Sequence, residues 1–287
     1  MTSGIEIRVA REDDLDEIVP WTTTTFDWGD YVPQRFNSWL DDPDSVVLVC
    51  VDGSDRPIAM CHVLMLSESE GWLEAARVHP DHRRSGLGSA LNQAGVSWLA
   101  ERGARVVRLA IGAGNRGARS QVEKLGYRPV SSWAHGETKV GRSRTTPAQY
   151  RLRHSPPNEA DAAWVFWSNS ELAAAGRELI ALGWRWRRTR PDDLKDAVSD
   201  RDLYQSPAGW VVVDQPELGL LRTGWLATEP VDAPLLFQGL LDLALERRLG
   251  EVSLKVPAAP WAVEAMTRAG WQPGEVVIYA KTALLRV

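Results

Sequence analysis

Between Trp72 and Leu91 the chain reads W-L-E-A-A-R-V-H-P-D-H-R-R-S-G-L-G-S-A-L. That stretch limits what the chain can fold into. Trp72 to Val78 is short and apolar-rich, which predicts a strand. Pro80 stops it, because proline brings no N–H to a sheet ladder. Arg83-Arg84-Ser85-Gly86-Leu87-Gly88 then turns the chain into a helix expected over about Gly88 to Glu101. Two glycines let successive N–H groups point into one concavity. The positive end of the helix dipole lies at the same place, and arginines suit phosphate. The stretch therefore reads as strand, anion cradle and helix.

The motif continues downstream. Val78-x-Pro80-x-x-Arg83-x-x-Gly86-x-Gly88 is followed by Asn115-x-x-Ala118 and by Glu123-Lys124-Leu125-Gly126-Tyr127. In order and spacing this resembles the GNAT acyltransferase superfamily, over roughly residues 1 to 153. The resemblance implies acetyl-coenzyme A as co-substrate and acetyl transfer to a primary amine by direct attack. It implies a pyrophosphate cradle made of Val78, Arg83, Arg84, Ser85, Gly86, Leu87, Gly88 and Ser89, with Asn115 bordering the pantetheine arm. Backbone near Val78 would bond the thioester.

The chemistry sets further requirements. The amine must lose its proton and the departing thiolate must be stabilised. Family members often carry a carboxylate on the organising strand, so Glu74 is the candidate general base, acting directly or through a water. His62, on the neighbouring strand, is the second candidate. Many members place a tyrosine, the thiolate's proton donor, where this chain has Val122. Either water or another group takes over, or the site is slow or silent. The family's acceptor segments correspond here to Trp21–Tyr31 and Ser131–His135. Trp28, Tyr31 and Trp133, with Trp21 and Phe26, are expected as an aromatic wall, and Asp27 and Asp30 as an attraction for a cationic amine.

Net charge is −5 over 287 residues. A nucleic-acid footprint needs a basic domain or stripe, so no nucleic acid is expected. No apolar run is long enough to span a bilayer, and no signal peptide is read, which predicts a cytoplasmic protein without membrane contact. Cys50 and Cys61 sit in strand-like runs and are expected as buried free thiols. The five histidines show no ligand spacing, so no metal is expected.

Taken in order, residues 1–154 read β-α-α-β-β-β-α-β-α-β-β, closing with strands at Tyr127–His135 and Ala148–Leu152. His154-Ser155-Pro156-Pro157-Asn158-Glu159 reads as a linker. In 155–287, Trp164–Trp167 reads as a strand and Ser168–Glu171 as the cap of a helix through Leu182. Further strands are expected at 209–213, 218–227, 252–256 and 276–285, and helices at 235–248 and 260–269. Thr267-Arg268-Ala269-Gly270-Trp271-Gln272-Pro273 echoes Glu123-Lys124-Leu125-Gly126-Tyr127-Arg128-Pro129, which points to a tandem repeat. The expected fold is therefore α/β (α+β): two GNAT-like domains, each a mixed, mostly antiparallel sheet flanked by helices. The second copy reads Val231-Asp232-Ala233-Pro234 where arginine and glycine should stand, and Ala259 replaces Asn115. It is expected to be degenerate and to hold no cofactor. The acceptor is expected to be a small-molecule or peptide amine, and the chain a monomer or homodimer. The alternative function is a catalytically silent coenzyme-A-binding regulatory or scaffold protein.

Overall fold

A computed structural model describes residues 6–23, 25, 29–141, 146–214 and 219–283. Contacts divide the chain into two compact units. One holds the described residues up to Leu109, Gly117–Arg128 and the chain from Ala280. The other holds Ala110–Arg116 and Pro129–Tyr279. The grouping does not follow the proline linker, because residues 129–154 fall in the second unit.

The first unit runs β1 (Glu6–Val9), α1 (Asp14–Thr22), α2 (Val32–Leu40), β2 (Ser45–Val51), β3 (Pro57–Ser67), β4 (Glu70–Val78), a 3₁₀ turn at Pro80–His82, α3 (Leu87–Glu101), β5 (Val106–Gly112) and α4 (Arg116–Lys124). Its strands lie in the order β1-β2-β3-β4-β5. β1 to β4 pair antiparallel, and β5 joins parallel to β4. One face carries Val47, Val49, Val51 and Met60 against Ile18, Val32, Phe36 and Trp39 of α1 and α2. The opposite face takes α3 so closely that a Cβ on Gly71 would lie 2.6 Å from Leu99, and one on Gly95 2.9 Å from Val63. Bare backbone at these two positions lets the helix sit down on the sheet.

Two irregularities shape the centre of this sheet. β5 pairs with β4 only at Glu70↔Val106, Gly71↔Val107 and Trp72↔Arg108. Beyond Trp72 the β4 backbone has a strand partner on the β3 side alone. The β3–β4 register also slips between Met60↔Arg77 and His62↔Glu74. Ala75 and Ala76 thus oppose Cys61 alone, and Ala75 has φ +53, a β-bulge. Strict alternation would put Glu74, Ala76 and Val78 on one face. The bulge instead puts Arg77 on the Glu74 face and turns Val78 towards α3, where its Cγ2 lies 3.9 Å from the Cβ position of Gly88.

The second unit runs β6 (Arg128–Lys139), a 3₁₀ turn at Ala148–Tyr150, β7 (Arg153–His154), α5 (Glu159–Ser168), α6 (Glu171–Gly176), β8 (Leu179–Leu182), β9 (Arg185–Arg188), α7 (Pro191–Ser199), β10 (Leu203–Ser206), β11 (Gly209–Asp214), β12 (Leu220–Ala227), α8 (Ala233–Glu246), β13 (Glu251–Pro257), α9 (Pro260–Arg268) and β14 (Gly274–Thr282). Its main sheet has the order β14-β6-β13-β12-β11-β10-β7. The repeat is visible in the pairing. β12 and β13 run parallel from Leu220↔Glu251 to Thr223↔Leu254, and the β11–β12 register slips opposite Gly224. A parallel pair that stops, with a bulge just beyond it, is the arrangement of β4 and β5.

Three expected elements differ. Trp164–Trp167 is helix, within α5. Ala160, Ala163 and Trp167 are its buried residues, a helical spacing that the run of aromatics masks. The Ser170 cap forms, its Oγ accepting from the Ala173 N–H at 3.2 Å, but the helix stops at Gly176. Arg177 and Glu178 take φ +55 and +57, and Leu179–Leu182 becomes β8. Ala148–Leu152 is a 3₁₀ turn entering the two-residue β7.

Candidate active site

The phosphate loop is built as its residue types require. Arg84 has φ +65 and Gly86 φ +88, so the backbone curls twice between the extended Arg83 and the helix. Gly86 is the N-cap of α3, with no side-chain cap and no acidic residue in the first turn. The N–H groups of Leu87 and Gly88 have no intrahelical acceptor by helix geometry, and the dipole adds its positive end. The Ser89 and Ala90 N–H groups both bond the Gly86 carbonyl at 3.0 Å, which leaves Ser89 its hydroxyl for a ligand. Ser85 Oγ donates to the His82 carbonyl and ties the loop to the preceding turn. Arg83, Arg84, Ser85 and Gly86 are exposed, whereas Leu87 is buried and anchors the helix start in the core. The role expected of Leu87 therefore falls to its backbone. A Cβ on Gly88 would stand 3.1 Å from Gln121 Nε2, so the start of α3 closely approaches α4.

On the α1/α2 face, His62 and Glu74 are cross-strand partners. His62 Nδ1 lies 3.0 Å from Glu74 Oε1, and Trp72 Nε1 donates to Oε2 at 3.0 Å. Trp39 of α2 stacks on the His62 ring at 4.3 Å and 12°, and Tyr31 meets Trp39 edge-on at 6.1 Å. The His62 side chain is fully buried, while the Glu74 side chain keeps 15% of its surface. Of the pair, only the Glu74 side chain keeps any exposed surface.

Tyr31 stands beside this carboxylate. Burial holds its phenol above the usual tyrosine value; Arg77 pulls the other way and the Glu74 charge adds to the rise. Asp30 does not serve as an open attraction for an amine. It is buried, Arg77 Nε and Nη2 donate to its two oxygens, and the Val32 N–H donates to Oδ1. Burial alone would push its carboxyl upward, but Arg77 and Val32 outweigh this and hold it below the usual carboxylate range. Trp28, with Phe26 and Asp27, lies outside the described residues.

The other expected residues fall elsewhere. Trp133 is 1% exposed in the second unit, edge-on to Trp186 at 5.9 Å, its Nε1 donating to Ser131 Oγ. Asn115 lies in the turn entering α4, its N–H on the Gly112 carbonyl. Val122 is buried on α4. Tyr127 offers no ready proton: its hydroxyl accepts from Asn92 Nδ2 at 3.3 Å, and burial raises its pKa well above the usual value. Arg77, Trp39 and the Trp72 side chain were not foreseen as site residues. Arg77 shares the Glu74 face only because of the bulge.

In the second unit Glu229, Asp232 and Pro234 occupy the entry to α8. The Asp232 and Ala233 N–H groups bond the Glu229 carbonyl, and those of Leu235 and Leu236 bond the Asp232 carbonyl. Two carboxylates and a residue without an N–H replace the arginines and glycines of the first loop. Among the described residues no group of three or more His, Cys, Asp or Glu gathers as a metal site would.

The first unit thus joins a strand, a bulge, a tight loop and a helix start that carries no acidic residue. The Acetyltransferase (GNAT) family model matches residues 15–127, and over those residues the chain is similar to that family. Histidine N-acetyltransferase of Oreochromis niloticus is 32% identical over 90 residues, 31% of this chain and 26% of that protein. The chain thus matches about a quarter of that relative's length. The GCN5-related N-acetyltransferase of Sphaerobacter thermophilus superposes with TM-score 0.67 at 18% identity, covering 99% of this chain and 97% of that one. A tandem GNAT protein from the clavulanic acid biosynthesis pathway superposes with TM-score 0.59 at 15% identity, over 99% and 100% of the two chains. The fold of the whole chain is that of tandem GNAT proteins.

Proposed function

We propose that the chain is an N-acetyltransferase whose first unit carries out acetyl transfer from acetyl-coenzyme A to a primary amine by direct attack. The observation that carries this reading is the Glu74 side chain, held by His62 and Trp72 and partly exposed, on a strand that β5 leaves after Trp72.

Acetyl-coenzyme A, when bound, supplies an activated acyl group. Everything else falls to the chain. The loop Arg83–Ser89 holds the diphosphate through N–H groups, arginines and the Ser89 hydroxyl. The β4 backbone around Val78 receives the pantetheine end. Glu74 takes the proton from the arriving ammonium, directly or through one water, so that nitrogen presents a lone pair. Tyr31 lines the acceptor side. The acceptor is a small-molecule or peptide amine; the histidine named for the fish relative is one member of that class. The second unit holds no cofactor of its own, since Glu229, Asp232 and Pro234 oppose a phosphate. Cys50 and Cys61 are free and buried, and burial pushes their thiols up to about 11 and about 12. Such thiols suit a reducing compartment, which favours the cytoplasm. No helix among the described residues is long and apolar enough to cross a membrane.

Val122 favours a second reading, a coenzyme-A-binding regulator without turnover, because the helix offers no phenol to the thiolate. A screen of amines with thiol release as readout separates the two. Release that depends on an amine, and that falls about 10²-fold or more in Glu74→Gln at unchanged coenzyme A affinity, supports the enzyme. Tight coenzyme A binding with no amine-dependent release supports the regulator.

A further inference from the structure

We propose that His62 is the positioning residue of the transfer reaction: with Trp72 it pins the Glu74 carboxylate in one orientation and favours its ionised form. The inference rests on the reading of Glu74 as the base and adds a residue to it.

The geometry comes from three directions. His62 reaches Glu74 from the neighbouring strand and Trp72 from the same strand, each at 3.0 Å and each to a different oxygen. An indole N–H only donates, so Oε2 is an acceptor, as in a carboxylate. The third direction is the bulge. Ala75, at φ +53, turns the backbone immediately after Glu74, so the carboxylate stands at the last regular position of the strand. His62 is itself fixed. It is fully buried, and Trp39, 5% exposed, stacks flat on it. A buried, stacked ring thus holds a carboxylate whose side chain keeps part of its surface exposed. A base oriented before the substrate arrives spends no binding energy on ordering itself.

The arrangement has an electrostatic consequence. N–H donors to a carboxylate favour its charged form. Tyr31, from the segment before α2, feels the Glu74 charge, and Arg77 shares the Glu74 face with its charge taken up by Asp30. From β5, Arg108 closes on Glu70. With the His62 proton assigned to Nδ1, the ring donates to Oε1; replacing it then removes a main support of the ionised carboxylate, and the pH needed for activity should rise.

Three variants test this on the full chain with an amine found by the screen. His62→Asn keeps an N–H near the Nδ1 position. His62→Leu fills the volume without a donor. Trp72→Phe removes the other donor without touching β3. His62→Leu and Trp72→Phe should bind coenzyme A as the wild type does. Their kcat should fall about 10-fold or more, and the acid limb of kcat/KM should move to higher pH, by about half a unit or more. His62→Asn should recover most of the turnover and return the limb. Should His62→Leu fail to fold, Trp72→Phe and His62→Asn still decide. Unmoved limbs in the donor-free variants, with changes confined to Tm or KM, would overturn the positioning role and leave Glu74 as the base. Full activity in Glu74→Gln would overturn the base itself.

Discussion

Arg77 closes on Asp30 through two hydrogen bonds, Nε to Oδ2 at 2.7 Å and Nη2 to Oδ1 at 3.2 Å. The Asp30 side chain is fully buried and that of Arg77 is 11% exposed. The pair ties the entry of α2 to the strand that carries Glu74, just beyond its bulge. It holds Tyr31 in place as well, because the Arg77 guanidinium lies 5.3 Å from the Tyr31 ring centroid.

Asp30→Asn should therefore cost about 3–5 kcal/mol, the range for leaving one partner of a buried pair uncompensated. Asp30 sits below its usual value, so its contribution is present above the unfolded carboxylate range. That contribution is lost as pH falls through the lower folded value. Denaturant unfolding at pH 7 and at pH 3 checks both points: the gap between wild type and Asp30→Asn should narrow in acid. Replacing both residues by apolar ones of similar volume should cost less than Asp30→Asn alone, and an equal cost would refute the pairing argument.

Gly86→Asp should abolish coenzyme A binding in a folded protein. Nothing lies within 4 Å of a Cβ at this position, so the side chain meets no clash. Asp tolerates positive φ better than most residues, which limits the strain to about 1–2 kcal/mol. The loss comes from a negative charge set where N–H groups must meet a diphosphate. Calorimetry should report one site per wild-type chain and none in the variant. Two sites per chain would show that the second unit is not degenerate.

How much of this was legible in the sequence depends on the range of the interaction. The phosphate loop was readable because its geometry is local: Arg84 and Gly86 turn, Gly86 caps, and the helix follows. The placement of Glu74 on a strand was readable for the same reason. Its partners were not, because the His62–Glu74 bond depends on a register that a bulge shifts, and bulges leave no alternation to read. Ala75 at positive φ is an unlikely residue by type, and no sequence signal marks it. The three corrected elements of the second unit share a cause. Each turns on a few residues: the short apolar run Trp164–Trp167 does not separate helix from strand, and the positive φ of Arg177 and Glu178 that ends α6 is announced by neither residue type.

Lys255 gives a prediction in the second unit. It is 3% exposed, and its Nζ lies 4.7 Å from the centroid of the Trp184 ring. Burial is the largest influence on it. Together with the Arg222 charge, and against Glu137 and Asp214, burial lowers its pKa to about 8. His135, its cross-strand partner, is also lowered, by burial and by Lys255. A lysine depressed in the folded state costs stability where the unfolded chain is protonated and the folded one resists it. That cost is full below pH 8 and fades as pH rises towards the unfolded value near 10.4. Lys255→Met should therefore stabilise the protein at pH 7, by up to about 3 kcal/mol less the lost cation–π contact. The gain should shrink by pH 10. A variant less stable than wild type at both pH values would show that the ammonium is paid for by contacts stronger than the ring.

Val122 is where the family's tyrosine would donate its proton, and the structure decides what restoring a phenol would do. The Val122 side chain is 9% exposed and counts among the buried residues of α4. Its carbonyl accepts from both Leu125 and Tyr127, closing the last turn of the helix. The nearest phenol in sequence, Tyr127, is already buried and bonded to Asn92. Val122→Tyr asks that turn to take a much larger ring where the interior is filled, which costs about 1–3 kcal/mol. The expected outcome is a lower Tm with no gain in turnover, because a phenol held in the interior cannot deliver a proton to a sulfur outside it. On the proposed reading the thiolate then leaves into water, and thiol release by the wild type should need no donor at this position. Stopped-flow measurement of thiol release with saturating amine, in wild type and Val122→Tyr, settles the matter. A several-fold acceleration in the variant would show that position 122 opens onto the departing sulfur and that the wild-type enzyme is limited by the missing donor.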